Sequence, residues 1–255
     1  MSVLLPQWRH RRLDLSSSTH RSTEGTTDHR IAQVQADVYE EVSHELRTPM
    51  TVILGNASAL ATRMERMPEN QRTQAIDDIG EELDRLNEVL SDLLTLARFE
   101  SGLTIARAPV SVGRLVGDVS TAYAKGRRRN VVTGGDEAVV DGDGDCLATV
   151  LKNLLSNADK YSPRESDIEI LVQRTDHECQ VTVLDRGIGI PPDDPEHFFV
   201  AFFRSARVRG SVRGLGLGLT VCKRVVEAHD GRIWASSRDG GGSAFTFALP
   251  AATQS

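Results

Sequence analysis

The chain has 255 residues, 39% of them hydrophobic and 26% charged, which fits a folded protein of two modest domains and excludes a chain disordered throughout. Its net charge of −6 argues against a general nucleic-acid binder, and the run Arg127-Arg128-Arg129 is too short and isolated to reverse that, so it is expected in a solvated loop. No stretch approaches the roughly 18 consecutive apolar residues of a membrane span. Cys146, Cys179 and Cys222 are odd in number and lack metal-ligand spacing, as expected for buried thiols in a reducing compartment such as the cytoplasm.

Residues 1–30 open the chain with few large apolar side chains after Leu5 and read as a disordered or remnant tail. From Ile31 the apolar positions Val34, Val38, Val42, Leu46, Ile53, Ala57, Leu60 and Met64 recur every three or four residues, which predicts a long amphipathic helix. Inside it stands Ser43-His44-Glu45-Leu46-Arg47-Thr48-Pro49. A neutral imidazole can attack a phosphoryl group near neutral pH, and an adjacent carboxylate can orient it or take its proton. On a helical wheel His44 lies about 200° from Val42 while Leu46 lies about 40° from it, so His44 points away from the apolar seam. Pro49 removes a helical hydrogen bond to the carbonyl of Glu45 and should bend the helix one turn beyond His44.

Pro68 and Asn70 mark a break. Ile76, Ile79, Leu83, Leu86, Leu90, Leu93 and Ala97 then form a second apolar stripe, so two helices make an antiparallel hairpin. A lone hairpin cannot cover its own seam, and self-association into a four-helix bundle, hence a homodimer, is expected. Past Gly102 to Pro109 the texture changes to mixed helix and strand. The pattern predicts a helix over 113–125, strands over 130–133 and 138–140, a helix over 145–161, strands over 168–174 and 179–184, a helix over 215–229 and a closing hairpin of 232–236 with 244–249. Strands interleaved with helices but ending in hairpins predict an α/β sandwich with helices on one face. The fold class is therefore α+β: a helical hairpin forming a dimeric four-helix bundle, then a two-layer α/β sandwich.

Three motifs in the second part carry chemistry. Asn153 and Asn157 stand at i and i+4, with Lys160 and Tyr161 one turn on, so all four can face one cleft; amide oxygens suit a hard cation, an ammonium suits phosphate and a ring suits a base. Read alone, they also fit exposed polar residues of an ordinary helix. Asp185-Arg186-Gly187-Ile188-Gly189-Ile190-Pro191 follows a predicted strand, where glycines allow a sharp turn and Asp185 could accept a hydrogen bond from an adenine amine; a plain Asp-capped turn is the alternative. Gly214-Leu215-Gly216-Leu217-Gly218-Leu219 opens a helix and could present free N–H groups to phosphate. It has neither the Walker lysine nor the dinucleotide-fingerprint spacing.

The order and spacing of SHELRTP, NLLSNADKYS (Asn153 to Ser162), DRGIGIP and GLGLGL, with Phe198-Phe199-Val200-Ala201-Phe202-Phe203-Arg204 between the glycine motifs, closely resembles the sensor histidine kinases of two-component systems. The likeness runs from about Val34 to Leu249. It implies a dimerisation and histidine-phosphoacceptor domain over 31–104 and a GHKL-type ATP-binding domain over 105–255. It further implies that His44 takes the γ-phosphoryl group of ATP with Glu45 as general base, and that the group passes to an aspartate of a response regulator. By the same resemblance Thr48 would support dephosphorylation of that partner. Asn157 would hold Mg2+, Asn153 and Lys160 would help with phosphates, Tyr161 would lie near the base and Asp185 would read the adenine amine. Gly187, Gly189, Gly214, Gly216 and Gly218 would line the nucleotide, and residues 204–213 would form a mobile lid, with Arg204 available to the phosphates.

The chain departs from the family at Val200 and Ala201, where Glu and Pro are usual, and at Leu215, where a small hydroxyl residue is usual. No sensor domain precedes Ile31, so the input is expected from an upstream sensor protein, from the short tail, or from a longer chain of which this is a fragment. Two other classes compete: another GHKL ATPase, against which the SHELRTP hairpin argues, and a non-enzymatic scaffold, against which the intact Asn, Asp and Gly positions argue.

Overall fold

A computed structural model describes residues 24–101, 105–125, 129–190, 195–203 and 214–252, with side chains described from Glu40 onward within those ranges except at 41, 100, 195 and 196. Most of the expected tail and all of the expected lid, Arg204 included, lie outside the described residues. The chain divides into two compact units, Met1–Ser91 and Asp92–Ser255.

The first unit is helical. Helix α1 spans Glu24–Arg63 and runs through Pro49; α2 begins at Glu69 and continues to Glu100. Between them Met64–Arg66 forms one 3-10 turn, and Gln71 and Arg72 donate backbone bonds to the carbonyl of Pro68 as α2 starts. Asn56 donates to Asp78 at 3.4 Å and Arg85 pairs with Glu45 at 3.7 Å, so rising positions on α1 meet falling positions on α2. The hairpin is therefore antiparallel.

The second stripe divides differently from expectation. Ala75 and Val89 are buried, whereas Ile76, Leu83 and Leu90, seven residues apart, are exposed. Met50 and Leu54 of α1 are exposed as well. One apolar face closes the hairpin and another stays open in a single chain, a pattern that a simple three-four count merges into one stripe.

The second unit starts with the last turns of α2, where Leu96 and Phe99 pack against the core. Strand β1 (Ala108–Ser111) pairs antiparallel with β3 (Val139–Gly142), and α3 (Val112–Ala124) follows β1 directly. The main sheet has the order β2-β4-β5-β7-β6, formed by Val131–Gly135, Ile168–Arg174, Glu178–Leu184, Ser243–Pro250 and Arg232–Ser237. Only β2 and β4 run parallel; every other pair is antiparallel.

Alternation along the strands fixes the faces. Ile168, Ile170, Val172, Val181, Val183 and Phe247 are buried in the same cluster as Leu147, Val150, Leu151, Leu154 and Leu155 of α4 (Gly144–Tyr161) and Val221, Val225 and Val226 of α5 (Gly218–Ala228). The opposite face shows Leu171 exposed, with Thr182 and Thr246 hydrogen-bonded across β5 and β7 at 2.9 Å. This is the expected two-layer sandwich.

Two local differences have physical causes. Strand β1 falls where the sequence carries Pro109, a residue that discourages a strand reading, but β1 is an edge strand of a two-stranded sheet and tolerates the missing donor. Helix α5 begins at Gly218 rather than Leu215, because Gly214 and Gly216 have φ of 140° and 67°, which no α-helix contains.

Candidate nucleotide and phosphoacceptor site

His44 is exposed on α1, as its position on the helical wheel predicts. Its neighbour Glu45 is half-buried and faces Arg85. Thr48 donates its hydroxyl hydrogen to the carbonyl of His44 at 3.2 Å, and Thr51 donates to the carbonyl of Arg47 at 2.8 Å. Back-bonding of this kind to the i−4 carbonyl tends to bend a helix. Pro49 itself is buried.

In the second unit, α4 is fixed at both ends. Asp143 caps its start by accepting from the N–H groups of Asp145 at 3.0 Å and Cys146 at 3.1 Å. Burial alone would raise the Asp143 pKa, but backbone donors at Cys146, Ala106 and Asp145 together hold it below the ordinary carboxylate value. The backbone N–H of Asp143 donates in turn to Nε2 of buried His229, whose Nδ1 lies 2.7 Å from the carbonyl of Val225. A neutral imidazole donating from Nδ1 thereby links the C-terminal end of α5 to the start of α4.

At the far end of α4 Arg129 is 6% exposed, contrary to the expected solvated loop. Its guanidinium binds Asp159 at 2.7 Å and the carbonyls of Asp159, Ser162, Pro163 and Ser166. A cationic fork is a strong partner for the orphan carbonyls of a helix end. Its position in a run of three arginines gave no sign of this, because every acceptor lies about thirty residues or more downstream. The Asp143 cap, by contrast, had a signal: Asp-Gly-Asp directly before an apolar helical period.

Between these ends α4 carries four of the residues expected to serve a nucleotide. Asn153 and Asn157 are half-buried on α4. A Cβ placed on Gly218 would come within 3.1 Å of the Asn153 Oδ1, so the start of α5 lies directly against that amide. Asn153 also donates to Asp92 at 3.1 Å, a contact the motif alone does not announce. No described residue hydrogen-bonds the Asn157 side chain. Lys160 is exposed and Tyr161 half-buried. A Cβ on Gly187 would sit 2.4 Å from the carbonyl of Tyr161, which is the close approach that required glycine.

Asp185 is the most constrained of these residues. It is 2% exposed, and its Oδ1 accepts from Gly187 N–H at 2.7 Å and Ser243 N–H at 3.1 Å. Its own N–H donates to the carbonyl of Ser243 at 2.9 Å. The second carboxylate oxygen, Oδ2, has no partner among the described residues and can accept an N–H from a ligand. The bond from Gly187 N–H is itself an Asp-capped turn, so a ligand role rests on Oδ2.

Gly189 has φ 73°, and Gly214 and Gly216 are also left-handed, so both glycine motifs take backbones that favour glycine. Leu215 and Leu217 are buried, at 5% and 2% exposure. The alternation in GLGLGL thus anchors the loop on its leucines, and Leu215 is a core residue. The aromatic segment reaches the same loop: Phe202 (φ 63°) donates its N–H to the carbonyl of Gly216 at 3.2 Å, and Thr220 donates to the carbonyl of Phe199. Val200 is exposed and Ala201 half-buried.

The donor set fits an adenine nucleotide: a buried acceptor for an amine, half-buried amides on α4 and a helix N-terminus at Gly218. Magnesium fits only through amide oxygens, phosphates and water. Among the described residues no group of three His, Cys, Asp or Glu side chains could hold a metal by itself.

Two family models match the chain. Residues 36–102 match the His Kinase A (phospho-acceptor) domain, and residues 142–253 match the histidine kinase-, DNA gyrase B- and HSP90-like ATPase. The sensor-like histidine kinase SenX3 of Mycobacterium bovis is 34% identical over 235 residues, 87% of this chain and 55% of that protein. The sensor protein KdpD of Clostridium acetobutylicum is 33% identical over 223 residues, 86% of this chain and 25% of that protein. The chain thus spans about half or less of the length of these relatives. A crystal structure of the histidine kinase ThkA in complex with the response regulator protein TrrA shares the fold, with TM-score 0.65 and 22% identity over 90% of this chain and 65% of that one.

Proposed function

Because the chain belongs to the sensor histidine kinases of two-component systems, we propose that it is an ATP-dependent protein histidine kinase that phosphorylates itself on His44 and hands the phosphoryl group to an aspartate of a response regulator. An imidazole nitrogen of His44 attacks the γ-phosphorus, the bond from that phosphorus to the β–γ bridging oxygen breaks, and ADP leaves. Glu45 takes the imidazole proton. Asp185 accepts the adenine amine, Tyr161 lies by the base, and Asn153 and Lys160 serve the phosphates together with Arg204 and the loop glycines. Magnesium, held by Asn157, would neutralise phosphate charge.

The observation that carries this reading is the pinned Asp185, a buried carboxylate with one oxygen committed to the protein and the other left for a ligand. Incubation with γ-labelled ATP and magnesium should give an acid-labile, alkali-stable label that is absent in His44→Gln. A label that survives this substitution would sink the assignment.

We place the phosphoacceptor domain at 31–104 and the ATP-binding domain at 105–255. The exposed heptad Ile76, Leu83 and Leu90 with Met50 and Leu54 supports a homodimer that buries them in a four-helix bundle. Thr48 sits one turn from His44, close enough to place a water for hydrolysis of the partner's acyl phosphate; Thr48→Ala should leave self-labelling intact and slow that hydrolysis, and equal hydrolysis would remove the role. Among the described residues no helix is long and apolar enough to cross a membrane. The cytoplasm is the compartment in which ATP and reduced thiols such as Cys179 and Cys222 are expected.

A further inference from the structure

The Asp185 carboxylate is held from the front by Gly187 and Ser243, but its backbone is also held from behind. Arg238, in the β6–β7 connection, has a side chain only 13% exposed. Its Nη2 donates to the Glu169 Oε1 of β4 at 2.6 Å, and its Nη1 lies 3.4 Å from the carbonyl oxygen of Asp185. Next to it, Ser237 donates its hydroxyl to the carbonyl of Ile190 at 3.1 Å, so the end of β6 grips the first glycine motif at both ends.

The connection itself is tight. Arg238 N–H donates to the carbonyl of Gly242 at 3.0 Å, and Gly241 N–H to the carbonyl of Arg238 at 3.1 Å. Gly242 has φ 102°, and a Cβ there would come 2.1 Å from the Asp185 carbonyl oxygen. The hairpin that presents Ser243 N–H to the Asp185 carboxylate is thus pressed onto the Asp185 peptide, with Arg238 as its charged fastening to β4. An arginine can serve both acceptors at once because its guanidinium presents several donors in a rigid plane.

We propose that Arg238, fixed by Glu169, is a positioning residue for base selection: it holds the Asp185 peptide and the Ser243 hairpin so that the free carboxylate oxygen faces the purine 6-position. The proposal rests on the reading of Asp185 as the adenine reader. A hydrogen-bonding site discriminates well only while its geometry is held, since a relaxed carboxylate can turn away from a mismatched ligand. Inosine triphosphate is the sharp probe, because it replaces the 6-amine donor with a carbonyl acceptor and leaves the ribose and phosphates unchanged.

The test compares ATP and inosine triphosphate affinities of the full chain, by competition against one fluorescent nucleotide, in wild type, Arg238→Met, Arg238→Lys and Glu169→Gln. Wild type should prefer ATP strongly. Arg238→Met should lower that preference about tenfold, Glu169→Gln should lower it less, and Arg238→Lys should recover part of it. A role in stability alone would weaken both nucleotides equally and leave the ratio unmoved. If wild type prefers ATP and both Arg238→Met and Glu169→Gln retain that preference in full, the positioning role is overturned. If wild type binds the two nucleotides equally, the reading of Asp185 itself fails.

Discussion

His44 and Asp185 are held in opposite ways. His44 stands on the exposed side of a continuous helix, where Thr48 bonds to its backbone carbonyl. Asp185 is 2% exposed and is bonded at its N–H and its carboxylate to Ser243 and Gly187. An acceptor of the kind proposed for His44, which would meet both a nucleotide and a regulator, needs exposure. A base reader of the kind proposed for Asp185 needs fixed geometry, and burial supplies it.

The largest expected effect breaks the reader and spares the acceptor. Asp185→Asn replaces the charged acceptor proposed to meet the adenine amine, and ATP affinity should fall about a hundredfold, measured by calorimetry. His44→Gln, on an exposed helical face, should keep ATP affinity and shift stability by no more than about 0.5 kcal/mol. Similar losses of ATP affinity in both variants would erase the contrast.

A smaller effect comes from the cap that holds α4. Asp143→Ala removes the side-chain acceptor for two N–H groups and should cost about 1 kcal/mol, seen as a lower midpoint in thermal unfolding. Since its folded pKa lies below the ordinary value, its contribution is present above that ordinary value and is lost as pH falls through the folded one. Wild type should therefore lose stability over that acidic window more steeply than Asp143→Ala. Parallel acid profiles would contradict the assignment.

The smallest expected effect has the opposite sign. A Cβ on Gly55 of α1 meets nothing within 4 Å, whereas one on Gly187 meets the Tyr161 carbonyl at 2.4 Å. Gly55→Ala should stabilise the hairpin by about 0.5–1 kcal/mol. Gly187→Ala should weaken nucleotide binding by moving Tyr161 away from the Asp185 loop. Stabilisation by both substitutions would show that the two regions are equally open.

The same contrast separates what adjacent residues encode from what only the folded chain assembles. Local signals carried the helices of the hairpin, the outward direction of His44, the strand over 168–174 and the glycine turn after Asp185, because each depends on periodicity or on a turn chemistry written in adjacent residues. What escaped depends on partners far along the chain. Arg129 gained its role only when the end of α4 folded over it, Arg238 only when β6 and β4 were brought to one end of the sheet, and β1 only when β3 offered it an edge. The later start of α5 was hidden because left-handed glycines and helical leucines share one alternating string.

The central claim concerns one atom set, and site-mapping of the phosphoryl group tests it most directly. Wild-type protein incubated with ATP and magnesium should be digested at alkaline pH and fragmented by electron transfer, which preserves phosphoramidate bonds. The phosphate should lie on the imidazole of His44 and be absent from Ser43 and Thr48. A phosphate on either hydroxyl, or none in the segment while ATP is bound, would contradict the account.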